Sequence, residues 1–242
     1  MKRQGLGTRG WGLGIKGSGF GIGGWGFGVL LGLAILLMPS PTAFAAASGS
    51  GGEGELGINV RVYDYAHVGR GTLIAAEKQA ARIFRQAGLD MSWCSVPAGT
   101  AESLTDSICG QPAGRARLNL RIVPRLKVAP GMTTDSTMGF AVGIIATVSY
   151  YAVQNTVPRG RAMPTDILGC VIAHEIGHLL LGPNSHAPTG IMMGEWSAKV
   201  LRGAGQGRLV FTPQQGELIR AEVLARSGEG RALMAQMLPS QP

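Results

Sequence analysis

The chain has 242 residues, of which 45% are hydrophobic, 15% charged and 6% aromatic, and its formal net charge is +8. No cluster of Lys and Arg is interleaved with aromatic side chains, so the composition gives no support to nucleic-acid binding.

The first 45 residues have the pattern of a secretory signal peptide. Four basic residues and no acid precede the apolar run VLLGLAILLM at 29–38, and the Ala-Phe-Ala at 43–45 is an Ala-x-Ala cleavage site. We therefore expect residues 1–45 to be removed and the protein to be secreted or periplasmic, without a membrane contact after cleavage. An uncleaved membrane anchor over 17–38 is the alternative.

Cleavage would leave 197 residues with 18 basic and 14 acidic side chains, a net charge of +4. This length is sufficient for one domain with its own core. We expect the Gly-, Ser- and Ala-rich stretch 46–55 to be a flexible leader and residues 56–242 to form the domain.

The domain begins with a predicted strand and helix. Residues 56–66 alternate Ile58, Val60 and Val62 with polar neighbours, which is strand periodicity. Residues 71–88 predict an amphipathic helix, because their apolar side chains recur three or four apart and share one face. These are Leu73, Ala76, Ala80, Ile83, Phe84 and Ala87.

Three further strands follow in the predicted order. They cover 89–96, 116–128 and 143–154, and a loop is expected over 129–142. Pro124 either makes the strand at 116–128 an edge strand or ends it, because proline cannot donate to a sheet ladder.

Two helices complete the chain. The first starts at Thr165 as N-cap and runs to about Leu181, where Gly182-Pro183 ends it. The second covers 212–227, with Thr212 as N-cap and Pro213 at its first position. The predicted order of elements is therefore β-α-β-β-β-α-loop-α.

The cysteines are interpreted through the predicted export, since disulfides persist in oxidising compartments. Cys94 and Cys109 flank a polar stretch that we expect to be a loop. A disulfide between them would close a loop of roughly 15 residues, worth about 3 kcal/mol in the chain-entropy model. Cys170 lies among apolar residues in the first of the two final helices, so we expect a buried free thiol.

Three of the four histidines lie between 174 and 186. His174 and His178 are four residues apart on the predicted helix, so their Cβ atoms should lie about 5–6 Å apart on one face and reach one Zn²⁺. Glu175 can act as a general base toward water. The rest of the helix is nearly all apolar, and burying His, Glu and His without partners would cost several kcal/mol. The pattern therefore predicts a zinc site.

A catalytic zinc usually has three protein ligands and one open position. His186 is the remaining nearby histidine, and it follows Gly182, where the chain can turn back. Asn184 competes by position, but an amide oxygen is a poor zinc ligand. Glu195 or Glu217 could complete the site instead.

The stretch HEIGHLLLGPNSHAPTGIM at 174–192 resembles the metzincin zinc proteases, and most of all their matrixin branch. That family has His-Glu-x-x-His-x-x-Gly-x-x-His, followed by a turn that contains methionine. His174, Glu175 and His178 match directly, and Met192 resembles the turn methionine.

The match departs from the family pattern in its middle. The family's glycine would fall at Leu181 and its third histidine at Asn184. This chain has Gly182 and His186 instead, one and two residues later.

The resemblance implies an α+β fold over 56–242, in which a mixed twisted sheet of about four to five strands carries an active-site helix and a C-terminal helix. It also implies that an extended peptide pairs with an edge strand beside the metal, for which 143–154 is the candidate. The expected function is a zinc-dependent endopeptidase that uses a metal-activated water and Glu175 as general base. The alternatives are a non-catalytic zinc-holding module and a zinc amidase that acts on a non-peptide, cell-wall amide.

Overall fold

The computed structural model describes residues 56–110, 114–126, 137–156 and 163–228. The predicted signal peptide and leader lie outside these ranges, as does the candidate anchor. The strands are β1 (Gly57–Asp64), β2 (Asp90–Ser95), β3 (Arg115–Val123), β4 (Gly139–Val142) and β5 (Ile145–Ser149). The helices are α1 (Arg70–Gln86), α2 (Glu102–Cys109), α3 (Tyr150–Thr156), α4 (Pro164–Leu181), α5 (Ala198–Ala204) and α6 (Pro213–Arg226).

The five strands form one mixed sheet in the order β2-β1-β3-β5-β4. β1, β2, β3 and β5 are parallel, whereas β4 pairs antiparallel with β5 at the edge. The predicted α+β class with a mixed sheet is therefore confirmed.

The core lies between this sheet and the helices on one of its faces. Ile58, Val60 and Val62 of β1 are buried there, as the alternation predicted. Their neighbours Asn59 and Arg61 point to the opposite face, because successive side chains of a strand alternate. The apolar residues predicted for α1 are also buried: Leu73, Ala76, Ala80, Ile83, Phe84 and Ala87.

Helix α4 is the central helix of the core and contacts α1, α6, β4 and β5. Every residue from Ile167 to Leu180 is buried, and each fully buried aliphatic side chain contributes about 1.5–3 kcal/mol. The predicted N-cap at Thr165 is wrong. Met163 is the extended residue before the helix, and Pro164 starts it, because the fixed φ of proline suits a first helical position.

The predicted strand 143–154 is wrong in its second half. β5 ends at Ser149, and Tyr150–Thr156 forms helix α3. The Ser149 hydroxyl accepts a hydrogen bond from the Ala152 N–H at 3.3 Å, so a serine side chain caps the first turn of α3.

The edge of the sheet also differs from expectation. The predicted loop 129–142 contains β4, which is one of the two edge strands in the described sheet, while β5 is paired on both sides. The candidate edge at 143–154 is therefore wrong. β3 lies in the middle of the sheet and ends at Val123, directly before Pro124. Of the two effects predicted for Pro124, it therefore ends the strand and does not make it an edge strand.

The disulfide prediction is confirmed. Cys94 on β2 is joined to Cys109 at the end of α2, and Cys170 is a buried free thiol. Helix α2 lies inside the stretch that we expected to be a loop. Its sequence ESLTDSIC is short and mostly polar, so it gives little periodic signal.

The C-terminal helix α6 begins as predicted. Thr212 and Gln215 form a reciprocal capping box, and Pro213 is at the start. The Arg226 guanidinium donates a hydrogen bond to the Leu179 carbonyl at 2.6 Å, which ties the end of α6 to the end of α4.

Among the helices in the described ranges, none combines the length and the hydropathy that crossing a bilayer requires.

Candidate metal centre

The Nε2 atoms of three histidines meet at the C-terminal end of α4. The Nε2 of His178 lies 3.0 Å from that of His174 and 3.1 Å from that of His186. One ligand atom of each ring can be chosen so that all three lie within 4.8 Å of one another. Within the described residues, this is the only group of three or more His, Cys, Asp or Glu side chains that could hold a metal ion.

The loop after α4 explains how His186 reaches the other two rings. Gly182 and Asn184 both have left-handed φ angles, of 83° and 62°. Glycine adopts such angles without steric cost, and asparagine tolerates them better than most residues. Two left-handed residues curl the chain tightly after the helix, so the two-residue shift from the family pattern is compensated in this short segment.

The protonation of His174 follows from its second hydrogen bond. Its Nδ1 lies 2.8 Å from the Ile191 carbonyl oxygen. A carbonyl only accepts, so Nδ1 of the neutral ring carries the hydrogen, and Nε2 presents a bare lone pair to the other histidines. Histidines that bind a metal in other proteins are commonly oriented in this way, because their other nitrogen donates to a carbonyl or a carboxylate.

His178 is oriented from the loop. Its Nδ1 lies 2.9 Å from the Ser185 hydroxyl, and its backbone carbonyl accepts the Gly182 N–H at 3.0 Å. The side chain beside His186 in the sequence therefore positions a second ring of the cluster.

A divalent cation fits this donor set. Bare nitrogens that face one another repel unless a proton or a cation lies between them. Four-coordinate zinc with Zn–N distances of about 2.0–2.1 Å would hold neighbouring nitrogens about 3.3 Å apart. The two observed separations, 3.0 and 3.1 Å, are close to this value.

The electrostatic setting keeps the imidazoles neutral. Burial, with a smaller contribution from the adjacent His178, lowers the pKa of His174 to about 3. Burial also lowers the pKa of His178 to about 4, with His186 contributing. The pKa of His186 is lowered by its own partial burial. Neutral imidazole is the form that binds metal.

Glu175 is fully buried at 0% exposure. Neither carboxyl oxygen has a hydrogen-bond partner in the described part of the chain, and burial raises the pKa of this group well above its usual value. Its side chain lies against Gly139 of β4. A buried acid without partners is costly in a purely structural role, so it is a candidate for chemistry.

Met192 and Trp196 pack around the cluster. Both are fully buried. Met192 presents its sulfur to Gly177, between the two helical histidines, where an added Cβ would lie 2.6 Å from Sδ. The indole of Trp196 meets the His174 ring edge-on, with centroids 5.7 Å apart.

The other candidates lie outside the cluster. Asn184, Glu195 and Glu217 are exposed, and neither glutamate joins the histidine group. Sequence reasoning missed the Ser185 hydroxyl and the Ile191 carbonyl, which orient the rings. Ser185 adjoins His186, but a backbone carbonyl leaves no signal in a sequence.

No protein-family model matches the chain, and no curated protein matches its sequence. The solved structures that are similar to it include the following two. Archaemetzincin from Methanopyrus kandleri has 16% identity and a TM-score of 0.42, over 69% of this chain and 96% of that one. A zinc-dependent peptidase from Methanocorpusculum labreanum has 16% identity and a TM-score of 0.42, over 66% of this chain and 99% of that one. Similarities of this size assign no function, so the candidate metal centre is supported only by the geometry of its own residues.

Proposed function

We propose that the chain is a zinc-dependent endopeptidase in which His174, His178 and His186 hold the metal through Nε2. The observation that carries this proposal is the approach of three imidazole nitrogens in a mostly buried site. The hydrogen bond that fixes the tautomer of His174 supports it. Three protein ligands leave a position open for substrate, which is typical of a catalytic rather than a structural zinc.

Zinc in this site would supply a Lewis acid that polarises a carbonyl group and lowers the pKa of water. Glu175 accepts the proton of the attacking water at a carboxylate oxygen while the new C–O bond forms. It then delivers that proton to the amide nitrogen as the C–N bond breaks, so the glutamate ends in its starting state. The apolar walls exclude bulk water from the carboxylate, and a nearby divalent cation favours its ionised form.

The substrate would bind at β4 rather than at β5. Among the described residues β4 is an edge strand of the sheet, and an extended peptide can add to such an edge through main-chain hydrogen bonds. Gly139 of β4 lies against Glu175, so a peptide on this edge would lie close to the proposed base.

Two further parts of the proposal concern the compartment and the subfamily. The disulfide between Cys94 and Cys109 suits an oxidising compartment, in agreement with removal of residues 1–45 and a secreted or periplasmic product. The motif over 174–192 supports a relationship to the matrixin branch of the metzincins.

The test is a zinc measurement on the chain lacking residues 1–45, beside a digest of a broad peptide library. We expect about one zinc per chain, as a single site implies, and cleavage at internal peptide bonds that a chelator abolishes. Zinc without hydrolysis would indicate a non-catalytic zinc-holding module. Hydrolysis of cell-wall fragments alone would indicate an amidase.

A further inference from the structure

A groove of about 710 Å³ lies beside the segment that carries His186. One wall is made by residues 188–190 and Met193, which follow His186 in the chain. The rest of its lining comes from α5 and the residues after it. No part of the proposed hydrolysis uses this groove.

Three cationic side chains line the groove: Lys199, Arg202 and Arg208. No acidic residue is among its lining residues, and none of the three cations forms an ion pair within the described part of the chain. Lys199 and Arg202 are three residues apart on α5, where like charges repel. A cluster of this kind attracts an anion.

The third cation is held at the groove by packing. An added Cβ at Gly203 would lie 3.6 Å from the Cβ of Arg208, so the arginine stem runs along α5. The Arg208 N–H also donates to the Gly203 carbonyl at 3.1 Å. The guanidinium of Arg208 therefore extends from a fixed backbone position.

The remaining lining is partly apolar, from Met193, Val200 and Leu209. A free inorganic anion would gain nothing from such a surface. A peptide with an acidic side chain would contact the apolar part with its own carbon atoms and the cations with its carboxylate.

The groove is within reach of the metal centre. Pro188 is two residues after His186, which places their Cα atoms at most about 7.6 Å apart. Gly194, beside Met193, lies against the His186 ring, since an added Cβ would be 3.0 Å from Nδ1. An extended peptide advances about 3.3 Å per residue, so it would enter the groove within a few residues of the bond to be cleaved.

We propose that this groove selects peptide substrates with an Asp or Glu side chain two to four residues from the scissile bond, bound by Lys199, Arg202 and Arg208. This inference rests on the proposed peptidase function and names the substrate class of the same site.

The experiment uses pairs of peptides that differ only by Glu or Gln at one position, scanned over four positions on each side of a cleaved bond. The measurement is the ratio of kcat/KM for the two members of each pair. We expect a ratio of about tenfold in favour of Glu at one position, as three partly exposed ion pairs allow. The ratio should shrink as salt rises.

The test variant is Lys199→Gln, Arg202→Gln and Arg208→Gln combined. Its control is Arg70→Gln, Lys78→Gln and Arg85→Gln combined, which removes three exposed charges from α1, none of them among the residues that line the groove. The ratio should fall below about twofold in the test variant and stay near tenfold in the control. A loss of equal size in both would assign the preference to net charge and overturn the inference.

The experiment distinguishes a failure of the groove proposal from a failure of the peptidase proposal. If the Glu and Gln peptides are cleaved at equal rates, the proposed preference for acidic peptides is wrong and the proposed peptidase activity is supported. If no peptide is cleaved, the peptidase proposal fails. Fluorescence anisotropy of the same labelled peptides then measures binding without cleavage. Tighter binding of the Glu peptide that is lost in the test variant would support the groove as a site for acidic peptides. Equal binding of the Glu and Gln peptides would contradict that proposal.

Discussion

Gly139 and Glu175 lie so close together that any side chain at position 139 would have to displace the Glu175 carboxyl group. An added Cβ on Gly139 would lie 2.6 Å from Oε1 and 2.7 Å from Cγ of Glu175. Glycine weakens a strand and often marks a close approach of another group. Here it allows the edge strand β4 to pass directly over the proposed general base.

Gly139→Ala should therefore reduce hydrolysis about 10- to 100-fold, because the new methyl group must displace the Glu175 carboxylate and small misplacements at a reacting centre are costly. Zinc content should stay near that of the wild type. The measurement is kcat/KM on a cleaved peptide beside metal analysis.

Gly71→Ala on α1 is the matched control, because nothing lies within 4 Å of an added Cβ there. Unchanged hydrolysis by the Gly139 variant would show that the position of Glu175 does not matter for the reaction. Its role as general base would then be wrong.

Glu175→Gln should abolish measurable hydrolysis while the protein keeps about one zinc, as a single site implies. The amide has nearly the same shape, but it cannot accept the proton of the attacking water. Zinc content and peptide cleavage are measured on the same preparation. A variant without zinc would show instead that Glu175 is a ligand.

The sequence predicted the elements whose signal is local. Helix α4 follows from its long apolar run, and it places His174, Glu175 and His178 together through helical spacing alone. The capping residues Thr212 and Pro213 likewise predicted the start of α6. In such segments the residues that decide the structure are close neighbours in the chain.

The sequence failed where distant segments decide the structure. The pairing of Gly139–Val142 with β5 depends on contacts that local composition does not report, so β4 was expected to be part of a loop. The hydrogen bond from His174 to the Ile191 carbonyl spans 17 positions, and it uses a backbone atom that every residue has. The apposition of Gly139 and Glu175 is long-range in the same way.

The disulfide between Cys94 and Cys109 should stabilise the fold by about 3 kcal/mol, because it closes a loop of roughly 15 residues in the unfolded chain. Urea unfolding of Cys94→Ser/Cys109→Ser should show this loss relative to the oxidised wild type. Wild type measured under a reductant is the control and should approach the double variant. A double variant as stable as the oxidised wild type would mean that the crosslink does not constrain the unfolded state.

Glu77 should make stability depend on pH. Burial raises the pKa of this half-buried carboxyl on α1 to about 6, so the folded state disfavours its charged form. Wild-type stability should therefore fall as pH rises from about 4.5 to 6, by roughly 1 kcal/mol once the remaining solvent exposure is discounted.

The substitution Glu77→Gln removes this penalty. Its Tm should exceed that of the wild type by more at pH 8 than at pH 4. Glu217→Gln, at an exposed position on α6, is the control. A Tm difference that is the same at both pH values would contradict the assigned effect of burial.

Three consecutive residues after α4 should differ sharply in their effect on zinc. His186→Ala removes a proposed ligand and should weaken zinc binding by more than about 100-fold. Ser185→Ala removes the hydroxyl that orients His178, and loss of such a supporting partner typically costs 10- to 100-fold. Asn184→Gly preserves the left-handed backbone at that position and removes only an exposed amide, so affinity should stay near wild type.

The zinc affinities of the three variants are measured by competition with a chelator, and circular dichroism confirms that each variant is folded. If His186→Ala binds zinc as tightly as the wild type, the third ligand lies elsewhere. Glu195→Gln and Glu217→Gln would then be tested for a site completed by a more distant glutamate.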